Sequence, residues 1–188
     1  MGGSNKAFLE VGGQTILTRV LDTVSPFFEE ILLVTREPEI YADLPVRIVT
    51  DIYPARSSLT GIHAGLKNAA APLAFVLPCD APFVQPDLIS FLLGEIEPDL
   101  DVIVPQIDDH YEPLCAIYSK RCLPLIEDQL DRDDFTILNF YDQVKLKKIP
   151  AQRIKTADND MISFYNVNTP EALEASQHMA DKKSSNSR

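Results

Sequence analysis

The sequence predicts an α/β fold in which helices cover both faces of a mostly parallel β-sheet that contains one antiparallel strand. Short apolar runs alternate along the chain with segments whose apolar residues recur at helical spacing. The apolar run at residues 73–77 has little polar alternation, which is typical of a strand covered on both faces. Strands separated by helices also imply parallel pairing through right-handed crossovers.

The first half of the chain is predicted to supply two helices and three strands. A helix begins after a glycine pair and ends at Pro26, because its apolar residues follow helical spacing. These residues are Ile16, Leu17, Val20, Leu21 and Val24. Strands are predicted at residues 31–34, 46–49 and 73–77. A second helix, at residues 59–68, lies between the last two of these strands.

The second half continues the alternation. Pro86 suits the first position of a third helix, and Pro170 suits the first position of the last one, with Thr169 as its N-cap. Another helix is predicted around residues 123–130. Further strands are predicted at residues 102–105, 113–118 and 144–149. The strand at 113–118 is expected to run antiparallel at the sheet edge.

Composition indicates one globular domain. The chain has 188 residues, a hydrophobic content of 45% and a net charge of −11. We expect a single domain at residues 1–181 and a disordered polar tail at residues 182–188. The acidic balance argues against nucleic-acid binding, and no apolar run is long enough to span a bilayer. Without a leader sequence and with three unpaired cysteines, the expected location is the cytoplasm.

A glycine-rich start leads to Lys6 and is typical of a phosphate-binding loop. Residues 1–6 are Met-Gly-Gly-Ser-Asn-Lys. Such loops normally follow a strand, whose end aims main-chain N–H groups at the anion. No strand precedes this one in the sequence.

Two aspartates follow predicted strands, where a sheet of this type binds its ligands. Asp51 follows the strand at 46–49, and Asp80 follows the strand at 73–77. Pro78 and Pro82 restrict the backbone around Asp80. A carboxylate here suits Mg²⁺, which takes one or two carboxylates together with phosphate oxygens and water. The alternative is that each aspartate caps the following helix or turn.

Two glycines, Gly61 and Gly65, lie four residues apart on one face of the second helix. A glycine inside a helix costs about 1 kcal/mol relative to alanine, so each requires a reason. Close packing of the helix and close approach of a ligand are both consistent with this spacing.

Five stretches together resemble the molybdenum cofactor guanylyltransferases, part of the wider nucleotidyltransferase family with a Rossmann-like three-layer fold. The first stretch, residues 1–9, resembles the Met-Gly and lysine that follow the family's first strand and its Leu-Ala-Gly-Gly loop. The others are Asp51 with residues 59–62, then residues 78–83 (Pro-Cys-Asp-Ala-Pro-Phe), 112–118 and 164–170. They occur in family order over nearly the whole chain.

The resemblance implies transfer of GMP from Mg-GTP to the terminal phosphate of molybdopterin, with release of pyrophosphate. It implies that Lys6 and Asp51 contact the nucleotide and that Asp80 holds Mg²⁺, with Lys6 and Asp80 as the catalytic residues. It also implies that Gly61, Asn166 and Asn168 form the wall on the pterin or the nucleotide side. GTP and molybdopterin are then the substrates, and proteins of molybdenum cofactor biosynthesis are candidate partners.

The sequence departs from the family pattern at three places. Ser57 and Ser58 stand where the family has Gly-Pro, and Thr35 stands where it often has an asparagine that touches the base. The first strand and its Leu-Ala-Gly-Gly loop are absent from these residues. Three hypotheses therefore remain open: an active guanylyltransferase whose true start lies upstream, a catalytically inactive cofactor-binding or partner protein, and a cytidylyl- or sugar-phosphate nucleotidyltransferase.

Overall fold

A computed structural model describes residues 6–186 of the chain, with side chains described for residues 6–180. The helices are α1 (Ile16–Val24), α2 (Ser58–Asn68), α3 (Pro86–Gly94), α4 (Leu123–Leu130), α5 (Ala151–Ile154) and α6 (Pro170–Asn186). The strands are β1 (Glu10–Val11), β2 (Gln14–Thr15), β3 (Leu32–Val34), β4 (Arg47–Val49), β5 (Leu73–Val76), β6 (Val102–Ile107), β7 (His110–Tyr111), β8 (Ala116–Ser119) and β9 (Leu146–Pro150).

The longer strands form two hydrogen-bonded groups. Strand β3 pairs in parallel with β4. In the second group β8 lies between β5 and β6, antiparallel to both, and β9 pairs in parallel with β6. Among the described residues, no hydrogen-bonded strand joins β3 to β5.

Helices cover both faces of the second group. Alternate residues of β6 enter different clusters: Val102 and Val104 pack with α2 and α4, whereas Ile103 packs with α3 and α5. This division follows from the alternation of side chains across a strand. The predicted α/β fold class, with helices on both sides of a mixed sheet, is confirmed.

One predicted strand differs in position. The strand expected at 113–118 begins at Ala116 and lies inside the sheet, so its predicted place at the sheet edge is wrong. A hairpin accounts for the later start of the strand. Asp108 and Asp109 both adopt positive φ and return the chain beside β6 as β7. A turn closed by the hydrogen bond from Cys115 N to Glu112 O then delays the strand.

The last described helix, α6, is longer than the sequence predicted. Thr169 caps α6 as expected, accepting a hydrogen bond from Ala172 N at 3.1 Å. The helix continues to Asn186 and so occupies most of the segment 182–188 that was expected to be a disordered tail. None of the helices in the described part of the chain is long and apolar enough to cross a membrane.

We predict that Phe140→Ala lowers the free energy of unfolding by about 4 kcal/mol, because it empties a fully buried site between Tyr118 and Tyr141. Leu138→Ala is the matched control in the same short helix, since Leu138 is 42% exposed. The control is expected to change stability by less than about 1 kcal/mol. Urea denaturation measures both, and equal losses would contradict the assigned core.

Candidate active site

Lys6 lies against a residue from the far end of the chain. Its Nζ donates a hydrogen bond to Asn168 Oδ1 at 2.8 Å. The short helix Lys6–Phe8 carries the lysine, and the segment before α6 carries the asparagine. Residues 1–5, the glycine-rich part of the predicted loop, lie outside the described residues.

Asp80 meets the same segment from the end of β5. Val167 N donates to the main-chain oxygen of Asp80 at 2.9 Å, which fixes the two segments side by side. Burial raises the pKa of the Asp80 carboxyl, and the nearby Lys6 ammonium acts in the opposite direction. Lys6, Asp80 and Asn168 therefore lie near one another.

Asn166 supplies an unpaired acceptor beside this group. Its Oδ1 is buried and has no hydrogen-bond partner among the described residues. Leaving such an atom unpaired costs free energy, so it favours a donor from a ligand or water. Its neighbour Val167 is the residue bonded to Asp80, which places Asn166 next to the site.

The segment that carries these asparagines is held by a buried carboxylate. Asp158 accepts hydrogen bonds from Ile162 N at 3.2 Å and Ser163 N at 2.9 Å. Ser163 Oγ in turn accepts from Gln85 N, just before α3. Asp158 could not be identified from the sequence, because no local pattern distinguishes it from an exposed aspartate.

Asp51 belongs to a separate cluster. Its Oδ2 accepts from the Arg36 guanidinium at 3.2 and 3.3 Å and from Thr60 Oγ1 at 2.9 Å. Arg36 also donates to the main-chain oxygens of Tyr53, Pro54 and Ala55. The Arg36 guanidinium thus holds the loop after β4 in place through several hydrogen bonds. The side chain of Asp51 is only 8% exposed. None of the described contacts joins Asp51 to Lys6 or Asp80.

Ser57, one of the departures from the family pattern, begins α2. Its Oγ accepts from Thr60 N at 3.1 Å, and Thr60 Oγ1 accepts from Ser57 N at 3.4 Å. This reciprocal pair is a capping box, so the serine stabilises the start of the helix. Asp51 is therefore not the cap of this helix.

Gly61 and Gly65 face a cavity rather than a tightly packed neighbour. A Cβ built on Gly61 would meet nothing within 4 Å, and one on Gly65 would lie 3.8 Å from Val34 Cγ2. Both residues line a cavity of about 860 Å³ between β3 and β5. Asn166 and Asn168 do not line it, so the structure separates Gly61 from the two asparagines with which it was grouped.

Comparison with known proteins identifies the family. The model of the MobA-like NTP transferase domain matches residues 1–144. The chain is 39% identical over 176 residues to the molybdenum cofactor guanylyltransferase of Desulfosudis oleivorans, covering 94% of this chain and 87% of that protein. The chain belongs to the MobA-like NTP transferase family.

Other relatives of this MobA-like chain agree. It is 32% identical to the probable molybdenum cofactor guanylyltransferase of Natranaerobius thermophilus, over 96% of this chain and 90% of that one. The crystal structure of molybdopterin-guanine dinucleotide biosynthesis protein A from Archaeoglobus fulgidus superposes with a TM-score of 0.84 at 26% identity, covering 96% and 92% of the two chains. The resemblance found in the sequence is confirmed, and the chain is a nucleotidyltransferase.

We predict that Arg36→Met lowers the free energy of unfolding by about 2 kcal/mol, because it leaves the Asp51 carboxylate and three main-chain oxygens without their shared donor. Hydrogen–deuterium exchange should rise most at residues 51–57. Arg132→Met is the control, since the ion pair of Arg132 with Asp128 is two-thirds exposed and is expected to contribute less than about 0.5 kcal/mol. Unchanged exchange in the loop of Arg36→Met would contradict the assignment.

We predict that Asp80→Asn keeps or raises the free energy of unfolding at pH 7. A carboxyl whose pKa is raised by folding contributes stability below its unfolded pKa and loses it as the pH rises through the folded value. The ionised Asp80 therefore opposes folding at neutral pH, and the neutral amide removes that cost. The advantage of the variant should shrink as the pH is lowered toward the ordinary range of an aspartate.

Asp101→Asn is the control, and we expect it to lower the free energy of unfolding at pH 7. Burial acts to raise the pKa of Asp101, but hydrogen bonds from Lys145 N and Arg121 outweigh it and lower the pKa overall. The ionised carboxylate therefore stabilises the fold at pH 7, and the amide should cost about 1–3 kcal/mol. Destabilisation of both variants at pH 7 would show that Asp80 has a structural role.

Proposed function

We propose that the protein transfers GMP from Mg-GTP to the terminal phosphate of molybdopterin and releases pyrophosphate. The observation that supports this most directly is the meeting of Lys6, Asp80 and Asn168 at the end of β5. It occurs in a chain 39% identical to a protein named molybdenum cofactor guanylyltransferase. Ligands bind at this position in α/β sheets, beyond the carboxyl ends of the strands.

The reaction forms one bond and breaks one bond. An oxygen of the molybdopterin phosphate attacks the α-phosphorus of GTP, and the bond from that phosphorus to the bridging oxygen of the leaving pyrophosphate breaks. A phosphate monoester is largely dianionic at neutral pH, since its second pKa is about 6. The nucleophile therefore needs no general base, and none of the proposed site residues has to accept a proton.

The protein must bring several anions together, and its charges suit that task. The Lys6 ammonium is held in place by Asn168 and is positioned to neutralise the α-phosphoryl group as negative charge develops. Asn166 has a free buried acceptor for a substrate donor. We propose that these asparagines line the substrate wall, while Asp51, through Arg36, shapes the loop at residues 51–57 that faces the nucleotide.

The described residues can hold Mg²⁺ if phosphate oxygens of the substrate and water supply the other ligands of the ion. Among the described residues no group of three or more metal-ligating side chains comes together. Mg²⁺ uses one or two carboxylates and takes its other ligands from phosphate oxygens and water, so Asp80 alone is a sufficient protein ligand. When bound, the ion would reduce the negative charge of the triphosphate. Binding also requires the ionised form of Asp80, whose pKa is raised by burial.

The cytoplasm is the proposed place of action. The three cysteines are free, and two of them, Cys115 and Cys122, are buried. Free buried thiols are typical of reducing compartments. Other proteins of molybdenum cofactor biosynthesis are proposed as partners, since both substrate and product must be handed on.

We predict that Lys6→Ala lowers the rate of GMP transfer by about 100-fold or more, the usual effect of removing a donor that stabilises developing charge. The free energy of unfolding should change by less than about 1 kcal/mol. Lys145→Ala is the control, because the side chain of Lys145 is 65% exposed and its ion pair with Asp99 is long, at 3.8 Å. Pyrophosphate release with Mg²⁺, molybdopterin and either GTP or CTP measures the reaction.

Each result of this assay has a defined meaning. Release with GTP that depends on Lys6 supports the proposal. A preference for CTP would replace it by a cytidylyltransferase, for which Thr35 at the family's asparagine position is the specific observation. Tight binding of molybdopterin without release from either nucleotide would favour an inactive cofactor-binding protein.

A further inference from the structure

Glu112 is a half-buried carboxylate that the proposed reaction does not use. It directly follows β7, and no hydrogen bond or ion pair within the described part of the chain reaches its side chain. Burial raises the pKa of the Glu112 carboxyl, and the nearby His110 acts in the opposite direction. Because a carboxylate that leaves water without hydrogen-bond donors costs free energy, this group favours a ligand that brings donors.

The turn that carries Glu112 is fixed at the carboxyl end of β6. Glu112 N donates to the main-chain oxygen of Pro105 at 2.9 Å, and Cys115 N donates to that of Glu112 at 3.0 Å. The hydroxyl of Tyr118 donates to the main-chain oxygen of Pro113 at 2.7 Å. These hydrogen bonds hold the main chain on both sides of the carboxylate, so its position is set by the fold.

Glu112 and Asp80 leave the sheet at the same edge. Strands β5 and β8 are antiparallel, with Val76 opposite Ala116. The chain after Val76 and the chain before Ala116 therefore continue past the sheet in the same direction, toward Asp80 and Glu112. Since β6 is also antiparallel to β8, its carboxyl end lies at this edge too, where sheets of this type bind their ligands.

Glu112 also lies near the segment that leads to Asn166. Burial and the charges of Glu112 and Asp158 raise the pKa of the Cys115 thiol to about 12, so both carboxylates lie close to that thiol. Asp158 orders the segment before Asn166 through its two main-chain hydrogen bonds. The Glu112 carboxylate and the buried Asn166 Oδ1 are thus two acceptors without donors among the described residues, both beside this edge of the sheet.

Apolar side chains of the same region are available to a flat ring. Ile107, Met161 and Phe164 pack against the cluster that contains Cys115, and each remains partly exposed. Apolar contact with a ring, combined with acceptors at its polar edge, suits a heteroaromatic ligand better than a sugar or a free phosphate.

We propose that Glu112 binds the pterin ring of molybdopterin, its carboxylate accepting hydrogen bonds from the ring N–H and from the exocyclic amino group beside it. The inference rests on the proposed function, which makes molybdopterin the acceptor substrate. The two donors of the ring are parallel and match the two oxygens of one carboxylate. Glu112 is then a binding residue that fixes the pterin end of the substrate, away from the phosphate that reacts.

Guanine presents the same pair of donors, so the position of Glu112 has to distinguish the two rings. The proposed function places the nucleotide beside the loop of Asp51, which follows β4. Strand β4 pairs with β3, and β3 borders β5 across the cavity. Glu112 lies on the other side of β5, beyond β8, so the assignment is to the pterin rather than to the nucleotide.

The first test compares the KM values of both substrates in the pyrophosphate-release assay. Glu112→Gln keeps the size of the side chain but replaces one acceptor oxygen by a donor. We expect the KM for molybdopterin to rise about 10- to 100-fold, the usual effect of losing hydrogen bonds to a charged group, while kcat and the KM for GTP stay within about twofold. Glu39→Gln is the matched control, because Glu39 is exposed after β3, and it should change neither KM.

The second test measures binding of hydroxymethylpterin by its fluorescence and needs no transfer reaction. The unsubstituted protein should bind it about tenfold or more tightly than the dioxo analogue, in which an oxygen replaces the amino group. Glu112→Gln should lose this preference, because its amide can donate to that oxygen. A structural role of Glu112 would not produce such a change in preference.

Two further observations cover a variant that does not fold. The melting temperature of Glu112→Gln at pH 7 should be unchanged or higher, since an ionised carboxyl whose pKa is raised by folding opposes folding there. Glu112→Asp keeps the charge on a shorter side chain, so it should bind the pterin more weakly and still prefer it to the dioxo analogue.

Failure of this inference and failure of the proposed function give different results. Transfer of GMP with an unchanged KM for molybdopterin in Glu112→Gln would overturn the inference and leave the function standing. A pterin preference that depends on Glu112, in a protein that releases no pyrophosphate, would support the inference and contradict the function. A rise in the KM for GTP alone, or equal binding of the pterin and its dioxo analogue by the unsubstituted protein, would overturn the inference.

Discussion

The need to pair buried main-chain groups controls the architecture of this protein. On the side of β6, each inner strand has a partner on both edges, and the alternating side chains pack against helices above and below. On the side of β3, the only strand paired to it among the described residues is β4, and a cavity of about 860 Å³ lies between β3 and β5. Lys6 lies near Asp80, which follows β5, so the arrangement of the strands also positions these candidate active-site residues.

The candidate active site is assembled from three chain segments that are distant in sequence. Main-chain hydrogen bonding sets the frame, because Val167 N binds the Asp80 oxygen and Asp158 orders the residues before it. The charged groups lie on these segments. Lys6 donates a hydrogen bond to Asn168, and partial burial raises the pKa of the Asp80 carboxyl. A carboxyl group whose pKa is raised by burial beside a cationic residue is a candidate functional group.

Local patterns in the sequence were sufficient for most of the fold. Helical spacing located α1, α2 and α4, and the Thr169-Pro170 pair located the start of α6. The place of β8 inside the sheet could not be predicted, because it depends on a hairpin at Asp108 and Asp109 and on pairing between distant strands. The continuation of α6 to Asn186 was also missed, since a polar sequence without an apolar face gives no periodic signal.

In the candidate site, too, residues in local motifs could be predicted, whereas pairings between distant residues could not. Lys6, Asp80 and Asn168 stand in recognisable motifs, and the structure brings them together. The pairing of Arg36 with Asp51 could not be predicted from the local sequence, because isolated polar residues show no periodic pattern.

The most direct test of the proposed site is a crystal structure with GTP and Mg²⁺. It should show the α-phosphate within hydrogen-bonding distance of Lys6 Nζ and a metal about 2.1 Å from an Asp80 oxygen. A nucleotide bound away from both residues would contradict the account.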